Sequence, residues 1–320
     1  MRRILVTGGS GFIGSNFVDY VMEKTDWHIT NLSRQTYAMN PRVLEHLEKS
    51  ERYRFVAGDV NDAILLVNLL KEVDSVVHFA AETHVDRSFI YPRDFLTSNL
   101  MGTFMVLEAL RYSQNKPKLI YMSTDEVFGD VSEGYSVENN RIQPRNPYSA
   151  SKASAEMYCN AYFYSFKVPA IVTRSMNNFG PRQHPEKLVG KIITRCLSNT
   201  PFTLFEGGSV RGWIYVKDTC DAIMTIIEKG EPGEIYHIPP DAYLTVPEVA
   251  ETILKLTDKQ HLFQGYKGAR IKDDERYALD GTKMTYDLKW RPRTSFVDGI
   301  KQTIDWFRQN EWFWKGIYAP

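Results

Sequence analysis

The chain has 320 residues, enough for one large domain or two modest ones and for a core that needs no disulfide or metal. Its 39 Lys and Arg balance 39 Asp and Glu, so no basic excess points to a nucleic-acid polymer or an anionic membrane surface. With 43% hydrophobic and 24% charged residues the composition is that of a globular protein, and no apolar run reaches the ~18 residues of a membrane span.

The run RILVT at 3–7 predicts a first strand rather than a signal peptide, because glycines cut it short. Gly8-Gly9-Ser10-Gly11-Phe12-Ile13-Gly14 follows, with GxGxxG at Gly9, Gly11 and Gly14. Phe12, Ile13, Phe17, Tyr20 and Val21 then keep helical spacing over 12–23. A glycine turn between a strand and a helix lets backbone approach a pyrophosphate at the helix N-terminus. Strand 28–32 should end in an acid that binds a ribose 2′-hydroxyl if the cofactor is NAD. The chain reads Ser33-Arg34 instead, and an Arg suits a 2′-phosphate, a lean toward NADP. After strand 53–57, Asp59-Val60 suits an adenine contact or the cap of helix 61–72.

Strands at 75–80, 118–122 and 170–174 and long helices at 92–113 and 148–166 complete a β-α-β series. The expected class is α/β: a Rossmann-type, doubly wound parallel sheet with a smaller α/β C-terminal substrate-binding region. The second half is richer in Pro, Gly and surface charge, with helices expected at 188–198, 219–228, 246–256 and 295–309. This divides the chain into a dinucleotide-binding domain, 1–176, and a substrate region, 177–320, with some late segments returning to the first. The aromatics Trp306, Trp312, Phe313, Trp314 and Tyr318 are expected to pack on the body. Cys159, Cys196 and Cys220 and the seven histidines show no metal-ligand spacing, so no metal is expected, and sparse cysteines fit a reducing cytoplasm.

Tyr148 and Lys152 form a YxxxK pair, one turn apart on one helix face. A lysine ammonium stabilises a phenolate, so the spacing suits removal of a proton from a sugar hydroxyl. Ser123-Thr124 ends the preceding strand, where α/β sheets bind ligands. Asp125 and Glu126 come next, two carboxyls that suit an elimination if their pKa values are split.

Seven stretches carry a resemblance: GGSGFIGS at 8–15, AAETHVDRS at 80–88, STDEVFGD at 123–130, NPYSASKA at 146–153, NNFGPRQHPEKL at 177–188, VRGWIYV at 210–216 and RYALD at 276–280. Through them the chain resembles the extended short-chain dehydrogenase/reductase family, in its nucleotide-sugar branch, and there the NDP-hexose 4,6-dehydratases. The resemblance implies NAD as cofactor, with NADP as the alternative, a nucleoside-diphosphate hexose as substrate, and a homodimer through the two long helices. It implies that Tyr148 takes the O4 proton, with Thr124 bonding that oxygen and Lys152 tuning the phenol. Glu126 then removes the C5 proton, and Asp125, protonated, donates to the departing C6 hydroxyl. Gly8, Gly11, Phe12, Ile13, Gly14, Ser33, Arg34, Asp59, Val60, Ala80, Ala81 and Asn178 fall at cofactor positions, together with Tyr148 and Lys152. His84, Asn177, Lys187, Leu188, Arg211 and Arg270 fall at substrate positions, and Thr97 and Asn99 beside the nicotinamide ribose. Arg182 and Arg276 join Lys187, Arg211 and Arg270 in an expected cation cluster for the diphosphate.

Three departures lie on the recognition side. The family's RPGHDRRYALD keeps Arg270 and Asp274 here but loses its Pro-Gly-His core, its VRDW reads VRGW at 210–213, and an Asn that contacts the nucleotide becomes Ala242. Thymidine is therefore the default base, with uridine or another left open. Epimerases of the branch carry a small residue at the Glu126 position, and decarboxylases carry Ser-Glu for Asp-Glu. Epimerisation, decarboxylation and a non-catalytic cofactor-binding sensor remain the alternatives.

Overall fold

Short β-branched runs alternate with longer amphipathic ones through the first half, and each closes into a strand or a helix. In the computed structural model, which describes residues 2–34, 40–269 and 274–317, the strands are β1 (Arg3–Thr7), β2 (His28–Ser33), β3 (Tyr53–Ala57), β4 (Ser75–His78), β5 (Lys118–Thr124) and β6 (Ala170–Ser175). Between them run α1 (Phe12–Lys24), α2 (Ala63–Leu70), α3 (Val85–Ile90), α4 (Pro92–Phe95), α5 (Gly102–Tyr112) and α6 (Pro147–Phe166). The second half adds β7 (Asn177–Phe179), α7 (Leu188–Leu197), β8 (Phe202–Glu206), β9 (Val210–Tyr215), α8 (Val216–Lys229), β10 (Ile235–Ile238), β11 (Ala242–Thr245), α9 (Val246–Thr257), β12 (Phe263–Ala269), α10 (Thr282–Leu288) and α11 (Phe296–Gln309).

The main sheet has the order β10-β6-β5-β4-β1-β2-β3, and every neighbour pair in it is parallel. Its strands are covered on both faces, which is why they read as apolar runs. Ile4, Val6, Val77 and Ile120 pack with Phe17, Val18 and Val21 of α1 and Ile223 and Ile226 of α8. The alternate residues Leu5, Val76, Leu119 and Tyr121 pack with Leu66 of α2, Leu110 of α5 and Tyr162 of α6. The strand order reverses between β1 and β4, so their carboxyl ends open a crevice where such sheets bind nucleotides.

Two smaller sheets flank that crevice: β11-β9-β7, and the parallel pair β12-β8. Two of these strands escape a reading by pattern, β7 because it has three residues and β11 because it is evenly half-buried. Strand β10 returns to the main sheet beside β6. The long helix expected over 92–113 is helical over 92–112 but not uniform: a π-helical stretch, Leu96–Met101, joins α4 to α5. Phe313 and Trp314 are buried on the body and Trp312 is half-exposed, whereas Tyr318 lies outside the described residues. No described helix is long and apolar enough to cross a membrane.

Candidate active site

A cavity of about 610 Å³ runs from the glycine turn after β1, past the ends of β4, β5 and β6, to the walls made by α7, β8 and β9. At one end Gly8 has φ +70°, and a Cβ there would stand 2.7 Å from the Ala80 backbone nitrogen. A Cβ on Gly14 would stand 2.3 Å from the Gly8 carbonyl oxygen, so the turn and the helix start fit only as glycines. Gly11 caps α1 without a side-chain hydrogen bond, and it lines the cavity with Gly8, Phe12, Ile13 and Gly14. The first amides of α1 are thus presented to an anion in the cavity. Ser33 Oγ accepts from the Ser10 amide at 3.1 Å and steadies the turn from β2.

Ser33, Arg34, Asp59, Val60, Ala80 and Ala81 continue that wall. The Arg34 guanidinium lies 3.0 Å from Asp59 and 3.5 Å from Glu82. Two carboxylates around one guanidinium suit a hydroxylated ribose and oppose a 2′-phosphate, which corrects the lean toward NADP read from Arg34. The glycine cradle and this wall fit NAD. Asn99 and Thr97 do not reach the cavity. Asn99 is buried and ties the Glu82 backbone (2.8 and 3.0 Å) to the Ser151 hydroxyl of α6 (2.9 Å), so it is a strut between the Ala80–Ala81 loop and α6. Thr97 is exposed.

The middle of the cavity is built by the end of β5 and the start of α6. Thr124 Oγ1 donates to Asp125 Oδ1 at 3.0 Å and accepts from the Glu126 amide at 3.3 Å, which caps the short turn Asp125–Phe128. Asn146 is the N-cap of α6: its Oδ1 accepts from the Ser149 amide at 2.8 Å while its Nδ2 donates to Glu126 Oε2 at 3.1 Å. One residue thereby fixes both the helix carrying Tyr148 and Lys152 and the carboxylate of Glu126. Burial first, and the Glu126 charge second, push the Asp125 carboxyl up to about 7. The two neighbouring acids are thus unlike in environment.

Tyr148 and Lys152 share the cavity-facing side of α6, but the lysine does not yet act on the phenol. Its ammonium donates to the Met122 carbonyl and stands 4.4 Å from the Tyr121 ring centre. Burial lowers its pKa to about 8, against the pull of Glu156. The Tyr148 phenol is raised by burial and by Glu126, with only the Thr124 hydrogen bond pulling it down.

At the far end, Asn177, Asn178, Lys187, Leu188, His84 and Arg211 all line the cavity. Lys187 Nζ donates to the Thr83 carbonyl at 2.9 Å, and His84 Nε2 lies 3.8 Å from Glu186. Asn178 Nδ2 bonds Ser175 Oγ (2.9 Å) and the Met176 carbonyl (3.0 Å), locking the exit of β6. Arg211 is buried, donates to the carbonyls of Val210 (3.0 Å) and Asp274 (2.6 Å), and stacks 4.5 Å from the Tyr277 ring centre. Of the wider cation set, Arg182 lines the cavity together with Lys187 and Arg211. Arg182 is bound to Asp19 and to the Ser15 carbonyl of α1. Arg276 points away to the carbonyls of Val131 and Gly134. Arg270 lies outside the described residues.

A protein-family model described as GDP-mannose 4,6 dehydratase matches residues 5–303. The chain belongs to that family. A relative from Haloferax volcanii, the low-salt glycan biosynthesis protein Agl12, is 39% identical over 95% of this chain and 98% of its own. The dTDP-glucose 4,6-dehydratase of Streptomyces niveus is 38% identical over 99% of this chain and 96% of its own. Among solved structures, a double mutant of the DesIV dTDP-glucose 4,6-dehydratase of Streptomyces venezuelae, with NAD bound, superposes with a TM-score of 0.94 at 36% identity. That match covers 98% of this chain and 99% of the other.

Several residues of this family member's cavity were not legible as site residues in the sequence. Asn146 sits in a motif, but its double duty needs the turn after β5 to be folded beside it. Glu82 and Tyr277 line the cavity from loops distant in sequence. Lys191 lines it too, and its signal was present: it follows Lys187 by one helical turn.

Proposed function

We propose that the protein is an NAD-dependent NDP-hexose 4,6-dehydratase, a hydro-lyase that converts dTDP-glucose to dTDP-4-keto-6-deoxyglucose. The observation that carries the reading is the Thr124-Asp125-Glu126 turn, with a buried, proton-retaining acid beside a second carboxylate, facing Tyr148 across one cavity. Oxidation alone, or epimerisation, needs no such pair. Losing water from C5 and C6 needs one group to take a proton and another to give one.

Gly8, Gly11, Phe12, Ile13 and Gly14 hold the pyrophosphate of NAD, Asp59 and Val60 border its adenosine, Ser33 and Arg34 its ribose, and Ala80, Ala81 and Asn178 the remainder. When bound, NAD would supply the hydride acceptor for C4 and the donor for C6, and its positive charge would favour the Tyr148 phenolate. Tyr148 takes the O4 proton while Thr124 bonds that oxygen. Lys152, which here donates to the Met122 carbonyl, would turn toward the phenol to tune it. The 4-ketone acidifies C5–H, Glu126 removes that proton, and Asp125 donates its own to the C6 oxygen as water leaves. Glu126 finally returns the proton to C5, and the O4 proton taken by Tyr148 replaces the one that Asp125 gave to water. His84, Asn177, Lys187, Leu188, Arg211 and Arg270 take the sugar and the diphosphate.

The chain divides functionally at about residue 176, with the cofactor on 1–176 and the sugar nucleotide chiefly on 177–320. A homodimer through the long helical segments 92–112 and α6 is supported by exposed apolar side chains there, Leu96 and Met101 on the first and Met157, Tyr158 and Tyr164 on the second. The three buried cysteines are free thiols, which suits the cytoplasm. The deciding experiment is mass spectrometry of products from dTDP-glucose, UDP-glucose and other NDP-hexoses. A product lighter by one water is expected; a product of unchanged mass would overturn the dehydratase reading.

A further inference from the structure

The cavity contains a cation to which the proposed chemistry gives no role. Lys191 is half-buried on α7, one turn beyond Lys187, and shares its stretch of wall with Leu204, Phe205 and Glu206 of β8. Among the described residues no carboxylate forms an ion pair with it, Glu206 included. Other positive charges crowd it instead: burial, then Lys267, then Arg195 lower the pKa of its ammonium. A lysine held in a partly buried wall with no carboxylate paired to it is unfavourable, and an incoming anion relieves it.

An NDP-hexose carries its negative charge on the diphosphate alone; the base and the sugar hydroxyls are neutral. We infer that Lys191 is a ligand for the diphosphate of the sugar nucleotide, acting with Lys187 from the same helix face and with Arg211. This inference rests on the sugar-nucleotide reading above.

The test uses the holoenzyme and Lys191→Met, a good helix former whose cavity neighbours include the apolar Leu204 and Phe205. KM for the NDP-hexose should rise about tenfold or more with kcat within about twofold, because the diphosphate is remote from the reacting carbons. Calorimetric affinity for dTDP should fall by the same factor, that for thymidine should not change, and Lys191→Arg should restore both values. An unchanged dTDP affinity, or an equal loss on thymidine, would overturn the assignment. If the wild type binds dTDP but converts no NDP-hexose, the dehydratase reading fails while the dTDP comparison still decides Lys191.

Discussion

Asp125 is the proton donor of the proposed elimination, and its environment sets the expected pH dependence. Its carboxyl is raised from the ordinary aspartate range to about 7 by burial and by the adjacent Glu126. The proton it must donate is therefore present below about pH 7 and lost above it. We predict that kcat/KM falls as pH rises through about 7, and that Asp125→Asn removes this limb along with most turnover. The same shift bears on stability. The native state holds the proton between the unfolded value near 4 and the folded value near 7, so stability conferred at low pH is lost as pH rises through that window. Urea titrations should show Asp125→Asn gaining on the wild type above neutrality. That two acids sit beside a YxxxK pair was legible in the sequence. Which of them retains its proton was not, because burial by distant loops decides it.

Among the elements, α6 shows how local chemistry places a reactive group. Asn146 begins the helix in a capping box with Ser149, and the same amide holds Glu126. Asn146→Ala should cost about 1 kcal/mol of stability from the lost cap. Turnover should fall further than that loss explains, since Glu126 is released from its position. Asn146→Asp, which keeps the cap but sets a second negative charge against Glu126, should recover stability without recovering rate; thermal melts and steady-state kinetics on the same samples would check both. The expected helix over 92–113 shows the limit of pattern. Its apolar spacing is helical throughout, yet Leu96–Met101 widens into a π-helical stretch, a form found often at functional sites. That stretch carries buried Asn99 to the backbone of Glu82 and to Ser151, long-range partners that spacing does not reveal.

On the scale of the whole molecule, the strands of the first half and their order of occurrence were legible because a buried parallel sheet needs apolar runs at regular intervals. In the small sheets of the second half β7 and β11 were not, since one has three residues and the other is half-buried throughout. The outer side of α5, α6 and the helical turns before them leaves Leu96, Met101, Met157 and Tyr164 exposed, an apolar surface of the kind that mates with a copy of itself. Light scattering should return about twice the chain mass, and Met157→Glu with Leu96→Glu should halve it. A monomeric wild type would remove the dimer from the account.

Strand β10 was described as a late return to the main sheet, next to β6. Its consequence reaches into how such proteins can be recombined. A C-terminal segment cut at residue 176 and grafted onto a relative's N-terminal segment would bring along a strand that completes the recipient's sheet. The donor, left without it, would expose the fully buried β6 as a bare edge open to intermolecular pairing. Exchange of specificity between relatives is therefore confined to loops and wall residues inside an unbroken chain. Transplanting whole modules would break the sheet that both halves share.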